Sequence, residues 1–349
     1  MQDIRTLMET HLDNLTKPKG SLGKLEEYCI KMAKIQGKVP PEIRKKGVYV
    51  FAGDHGVTEA GVSLYPDEVT RQMVLNILAG GAGVNALASG TGWEVTVVDG
   101  GVKGSFSEES LKVGGGACRF IDAKIREGTS NILKENAMTG EELRKSFEWG
   151  EKLALDAYNK GYDLVAIGDL GIGNTTTAAA ILHAAGFPAD LVTDRGTGIT
   201  TEMLENKKKV VEEAVRLRSP QKKGEAILEA LGSFEFAMMA ALALKLPEYH
   251  IGCVLDGFPV TAAVYMAHLI NPSISDCLFA GHLSKVIGHK PLLEAMSLEP
   301  ILSLDMRLGE GTGALIGGHV VELGTIAARK MASFAEAGVS ESDKEEEDY

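Results

Sequence analysis

Short apolar runs recur along the chain, and each stops at an aspartate or a glycine before a stretch of helical character begins. The runs are Gly47-Val-Tyr-Val-Phe-Ala-Gly53, Trp93-Glu-Val-Thr-Val-Val-Asp99, Asp163-Leu-Val-Ala-Ile167, Ile251-Gly-Cys-Val-Leu-Asp256 and the segment Asp276-Cys-Leu-Phe-Ala-Gly-His282. Strand, acidic or glycine turn, helix: repeated in this way, the unit predicts an α/β protein. Its sheet is doubly wound and mainly parallel, with ligands held outside the carboxyl ends of the strands. No fixed sequence period accompanies the units. Ahead of them, residues 1–46 are helical in pattern and rich in charge, broken at Pro18 and Gly20, with Ser21 placed to cap a second helix from about Leu22. A helix is expected from about Asp67 to Ala88, with a break or tight contact at Gly80-Gly81-Ala82-Gly83, and another from Gly140 to Lys160. Residues 103–140 read as an irregular insertion of loops with room for a short strand. The Ala- and Met-rich stretch Ser233–Leu246 reads as a core helix, and an apolar helix runs to about Ala335. The acidic end, residues 339–349, is expected to be disordered.

Composition narrows the function more than the fold. A chain of 349 residues suits one large domain with an accessory piece, or two domains. A formal charge of −12 leaves no basic surplus for a nucleic-acid partner. Cys29, Cys118, Cys253 and Cys277 form no CxxC pair and read as buried thiols of a reducing compartment. No apolar run reaches the ~20 residues that a membrane span needs. A cytoplasmic protein with no membrane partner is expected.

The candidate chemistry centres on Gly168-Asp-Leu-Gly-Ile-Gly-Asn-Thr-Thr-Thr177. Gly171 and Gly173 would let backbone N–H groups face an anion at the start of a helix near Thr175. Asn174 stands where a nucleoside-triphosphate loop requires lysine, so a monophosphate is expected rather than ATP. The same glycines could instead serve only close packing. Asp54-His55 at the end of the first strand fits loop-pinning hydrogen bonds better than a metal, because the histidines form no HxH or HxxxH cluster. A second glycine turn, Thr193-Asp-Arg-Gly-Thr-Gly-Ile199, precedes a helix carrying Lys207-Lys-Lys209. Lys17, Lys19 and Lys24 could meet an anion or form a solvated charged turn. Glu310, between Gly309 and Gly311, could be a desolvated general base or an acidic cap of the helix starting near Thr312.

Seven stretches, in order, carry a closer likeness: Lys17-Pro-Lys-Gly-Ser-Leu-Gly23, Ala52-Gly-Asp-His-Gly-Val57, Gly168–Thr177, Arg195-Gly-Thr-Gly198, Asp256-Gly-Phe258, Gly281-His-Leu-Ser284 and Arg307-Leu-Gly-Glu-Gly-Thr-Gly313. With them the chain resembles the nicotinate-nucleotide–dimethylbenzimidazole phosphoribosyltransferases of cobamide assembly. The resemblance implies a Rossmann-like domain, residues 31–305, and a small helical domain from both termini, residues 1–30 with 306–338, in a homodimer. It implies transfer of a phosphoribosyl group from nicotinate mononucleotide to a benzimidazole-type base, with neither cofactor nor metal. It makes Glu310 the catalytic base. Gly171, Gly173, Asn174, Thr175, Gly196, Gly198 and Lys207 would hold the phosphate, Asp256 and Gly257 the ribose, and His282 and Ser284 the nicotinate side. Ser63, Tyr65, Met73, Asp169, Leu170 and Leu308 would line the acceptor pocket. Asp169 stands where many members carry Glu, Met73 where benzimidazole users carry Gln, and Tyr65 where they carry Ser.

Overall fold

The computed structural model describes residues 3–111, 118–196 and 198–340. Among them six strands form a single, wholly parallel sheet: β1 (Lys46–Gly53), β2 (Trp93–Gly101), β3 (Cys118–Asp122), β4 (Leu164–Leu170), β5 (Gly252–Leu255) and β6 (Leu278–Ala280). Their order is β3-β2-β1-β4-β5-β6. This is the doubly wound arrangement the apolar runs predicted. The order reverses between β1 and β4, where such sheets open a crevice for ligands. Every residue of β1 and β5 is buried, which explains their lack of alternation: a strand covered on both faces has no polar side to show.

The supposed insertion contains β3, which pairs in register with β2 from Val95↔Cys118 to Asp99↔Asp122. It lies at the sheet edge, and none of its residues is fully buried. Glycine does break the helix after Asp67, giving helices Glu68–Leu78 and Gly83–Thr91. The stretch Glu68–Thr91 (24 residues, mean hydropathy 1.3) is long and apolar enough to cross a membrane only if that break is ignored. The second N-terminal helix runs Lys24–Gln36 and starts from Gly23, not from a Ser21 cap, because turns at Gly20 and Gly23 delay helical geometry. The Ala/Met-rich stretch is the helix Phe234–Lys245, most of it fully buried against the helix Gly140–Asn159. Cys29 and Cys253 are buried, whereas Cys118 and Cys277 are half-buried.

The chain divides into two compact units, residues 1–44 with 319–349, and residues 45–318. The dividing lines differ from those drawn on the sequence at 30 and 305. A cut at residue 30 would bisect the helix Lys24–Gln36, whose Cys29, Met32, Ala33 and Ile35 are all buried. In the terminal unit Met8, Leu12, Leu15, Cys29, Ala33 and Ala328 form a core, and the two chain ends meet at the bridge Leu15↔Ser333. Lys17 and Lys24 there pair with Glu26 (2.9 Å) and Glu27 (2.8 Å). The larger unit holds the sheet and the cleft described next. Of the acidic end, residues 341–349 lie outside the described residues.

Candidate active site

The carboxyl ends of β4, β5 and β6 open onto a cleft of about 190 Å³ in the larger unit. Of the residues singled out in the sequence, Ser63, Asp169, Leu170, Gly171, Gly173, Asn174, Thr175, Gly196, Lys207, Asp256, Gly257, His282, Ser284, Leu308 and Glu310 all line it. Three that the family resemblance placed at the site do not: Tyr65 is 49 % exposed, Met73 is half-buried on the helix Glu68–Leu78, and Gly198 is exposed on the second glycine turn. Arg195 and Arg307 also line the cleft, although only neighbouring residues were assigned a role.

The glycine loop leaves β4 and enters the helix Asn174–Ala185, so that helix points the positive end of its dipole at the cleft, with the Asn174 and Thr176 amides donating to the loop carbonyls of Gly171 (3.2 Å) and Gly173 (2.9 Å). Gly171 lines the cleft and has no room for a side chain. A Cβ there would overlap the carbonyl oxygen of Gly53 and crowd the His55 ring. The Asn174 amide donates to Asp169 Oδ2 (2.8 Å). His55 meets Thr177 Oγ1 through Nδ1 (2.9 Å), and Asp54 accepts from the Lys103 amide (2.7 Å). Asp54 and His55 therefore pin loops, as their position after β1 suggested.

Lys207 reaches the same loop from the helix Thr201–Arg218. Its side chain is buried, and Nζ donates to Thr175 Oγ1 (2.8 Å) and to the carbonyl of Asp194 (3.1 Å). An ammonium has three donors, and these two acceptors are neutral. Burial accordingly pushes its pKa down to about 8, against a small opposing pull from Asp194. Such a group is poised for an anion.

Glu310 lies in the turn before the helix Thr312–Lys330. Gly309, Glu310 and Gly311 all take positive φ (88°, 61° and 85°), a left-handed run that costs little at glycine and strains the glutamate. The run turns the glutamate inwards, leaving it 4 % exposed, with its amide on the Asp169 carbonyl (3.2 Å). Oε2 accepts from the Val84 amide (3.4 Å) at the start of the helix Gly83–Thr91. Burial raises its pKa above the ordinary carboxylate range, while the Val84 and Gly83 amides partly offset the rise. It caps no part of the helix that follows. That position belongs to Asp256, whose carboxylate accepts from Gly311 (3.0 Å), Gly313 (2.8 Å) and Ala314 (3.3 Å). Asp256 thus holds the Glu310 turn, with His282 Nδ1 3.7 Å from its Oδ1.

Two further buried acids adjoin the loop, and burial disfavours the charged form of each. Asp169 is pushed up to about 7, chiefly by burial and with a contribution from Asp256. Glu235, fully buried, is pushed up to about 8 by burial and then by Asp169; it accepts from Ser233 Oγ and lies 3.2 Å from His55 Nε2. Sequence reasoning missed Glu235, since an acid in the first turn of an apolar helix looks like an ordinary partner of the helix dipole.

A doubly wound sheet with an anion-ready loop, a buried lysine and a buried carboxylate at one crevice is the frame of a phosphoribosyltransferase, and a family model of that description matches residues 1–339. A nicotinate-nucleotide–dimethylbenzimidazole phosphoribosyltransferase from Geobacter sulfurreducens is 45% identical over 98% of this chain and 95% of its own length. One from Chlorobaculum tepidum is 40% identical over 97% and 94%. The crystal structure of CobT from Thermus thermophilus superposes with a TM-score of 0.91 at 41% identity, covering 98% of this chain and all (100%) of that one. The chain belongs to the nicotinate-nucleotide–dimethylbenzimidazole phosphoribosyltransferase family.

Proposed function

We propose that this chain transfers the phosphoribosyl group of nicotinate mononucleotide to 5,6-dimethylbenzimidazole or a related base, giving α-ribazole 5′-phosphate and nicotinate in cobalamin nucleotide-loop assembly. One ring nitrogen of the base attacks C1′ of the ribose. The bond from C1′ to the pyridinium nitrogen breaks, and its electron pair neutralises that nitrogen. The other ring N–H of the base, acidified by the new positive charge, passes its proton to Glu310. The leaving group is activated before the reaction begins, so the enzyme's contribution is alignment on opposite faces of the sugar and removal of one proton.

Glu310 carries this reading. It is buried in the cleft, its pKa is raised by that burial, and it lies beside the loop that Lys207 reaches. A protein that only bound the nucleotide would have no use for a strained, desolvated carboxylate there. On this reading the helix end at Gly171, Gly173, Asn174 and Thr175, with Gly196 and Lys207, takes the phosphate. Asp256 and Gly257 lie by the ribose, and His282 and Ser284 on the nicotinate side. Ser63, Asp169, Leu170 and Leu308 form the acceptor pocket. The family resemblance supports a homodimer, testable by sedimentation, and a cytoplasmic location, testable by fractionation. For the reaction itself the test is Glu310→Gln: nucleotide binding by calorimetry should persist, while turnover should fall by about 10²- to 10⁴-fold, the usual worth of a general base. Unchanged turnover would remove Glu310 from the role.

A further inference from the structure

Behind the cleft, a chain of hydrogen bonds joins two of its walls through residues that do not line it. The amide N–H of Ser284 donates to His289 Nδ1 (2.9 Å). His289 Nε2 lies 2.9 Å from Thr261 Oγ1, and Thr261 Oγ1 lies 2.9 Å from the carbonyl oxygen of Gly257. His289 and Thr261 are completely buried.

The direction of each bond is fixed by elementary valence. A backbone N–H can only donate, so Nδ1 must present a lone pair, and the single ring proton of a neutral imidazole must sit on Nε2. That proton points to Thr261 Oγ1, which accepts it. The hydroxyl proton of Thr261 is then left for the Gly257 carbonyl, which can only accept. The chain runs one way, from Ser284 to Gly257, with every donor used once. A second proton on His289 would set an N–H against the Ser284 N–H, and burial, then the neighbouring His282, hold the imidazole neutral by pushing its pKa down to about 3. The two ends matter because Ser284 and Gly257 both line the cleft, and a Cβ built on Gly257 would stand 3.8 Å from Ser284 Oγ.

We propose that His289 and Thr261 are positioning residues: their one-way hydrogen-bond chain sets the spacing of the Gly257 and Ser284 walls, and so holds the nucleotide donor without touching it. The inference rests on the donor-side assignment of those two walls made above. Its signature is selectivity for one substrate. Neither residue belongs to the acceptor pocket, so loosening the chain should weaken the nucleotide and leave the base alone.

Thr261→Val removes the central hydroxyl at nearly constant shape, and Thr261→Ser keeps it. With the full-length protein and both substrates varied, Thr261→Val should raise KM for nicotinate mononucleotide by about fivefold, one neutral hydrogen bond's worth, with KM for the base unchanged. Thr261→Ser should restore the wild-type value. Because the chain acts as a unit, adding Thr261→Val to His289→Phe should change the nucleotide KM little further. Equal nucleotide KM in Thr261→Val and wild type, or a Thr261→Ser variant as impaired as Thr261→Val, would overturn the proposal. If wild type itself releases no nicotinate, the functional reading fails instead. The bridge is then judged from ¹⁵N imidazole shifts: His289 with bare Nδ1 and protonated Nε2 upholds it, and a protonated Nδ1 overturns it.

Discussion

Replacing Lys207 by methionine separates what that residue costs the fold from what it gives the site. The side chain is buried, and its pKa falls from 10.5 to about 8. At 1.36 kcal/mol per unit, that depression is a penalty of about 3 kcal/mol for keeping the charge in the folded protein. Methionine removes it and fills similar space, but leaves Thr175 Oγ1 and the Asp194 carbonyl without their donor, at roughly 1 kcal/mol each. The net expectation is a variant as stable as wild type or more stable by about 1 kcal/mol at pH 7. The sign of the pH dependence follows from proton counts. Between about pH 8 and 10.5 the unfolded chain binds more protons at this site than the folded one, so wild type gains on the variant as pH rises through that window. Denaturant titrations at pH 7 and pH 10 measure both. On the proposed role of Lys207 in holding the nucleotide phosphate, the same substitution should also delete a charge-assisted contact worth about 1.5–3 kcal/mol, or about 10- to 100-fold in KM for nicotinate mononucleotide. Inorganic phosphate should raise the Tm of wild type and not that of Lys207→Met. A variant less stable by several kcal/mol with an unaltered nucleotide KM would refute the reasoning, since Lys207 would then be a structural cation.

Other substitutions probe the scaffold. Gly171→Ala forces a methyl group into the Gly53 carbonyl and should cost about 1–3 kcal/mol, read as a lower Tm, whether or not a ligand is present. An effect seen only with nucleotide bound would return Gly171 to a ligand-approach role. Glu235 has a folded pKa near 8 against an ordinary 4.5, so its burial is free of penalty below about pH 4.5 and costs most above about pH 8. Glu235→Gln should therefore raise Tm more at pH 8 than at pH 5; the opposite order would mean that the carboxylate is stabilised in its charged form. Asp256→Asn puts a donating NH2 in place of one carboxylate oxygen, so either the Gly311 N–H or the Gly313 and Ala314 N–H groups lose their acceptor, and it should lower turnover through the Glu310 turn by about 10-fold or more, with circular dichroism unchanged. Unaltered turnover would free the Glu310 turn from dependence on Asp256.

Much of this could be read in the sequence, and the misses share a physical cause. β1, β2, β4 and β5 announce themselves because a strand buried on both faces is a bare apolar run, and the chain must turn where it ends. β3 hides in Cys118-Arg-Phe-Ile-Asp122 because an edge strand with half-exposed residues lacks that signature. The glycine loop, Lys207 and Glu310 were marked by local chemistry that survives in one dimension: glycines around an acid, a lysine after a second glycine turn. Glu235, His289 and Thr261 were not. Each sits in an ordinary helical context, and only the packing of distant elements makes it buried and committed. The family resemblance places Asp256 by the ribose, and no local pattern in the sequence marks the second role its oxygens take, accepting from the backbone around the Glu310 turn. Tyr65 and Met73 were placed by likeness to the family rather than by any pattern of their own, and neither lines the cleft.

The central claim is a phosphoribosyl transfer with Glu310 as base, and product analysis tests it most directly. The purified protein would be incubated with nicotinate mononucleotide and an equimolar mixture of 5,6-dimethylbenzimidazole, benzimidazole, adenine and p-cresol, with products resolved by mass and the anomeric configuration by NMR. One dominant α-riboside 5′-phosphate, formed in equal amount with free nicotinate, is the predicted result, and it also names the base. Bound nicotinate mononucleotide recovered intact, with no riboside from any acceptor, would contradict the account.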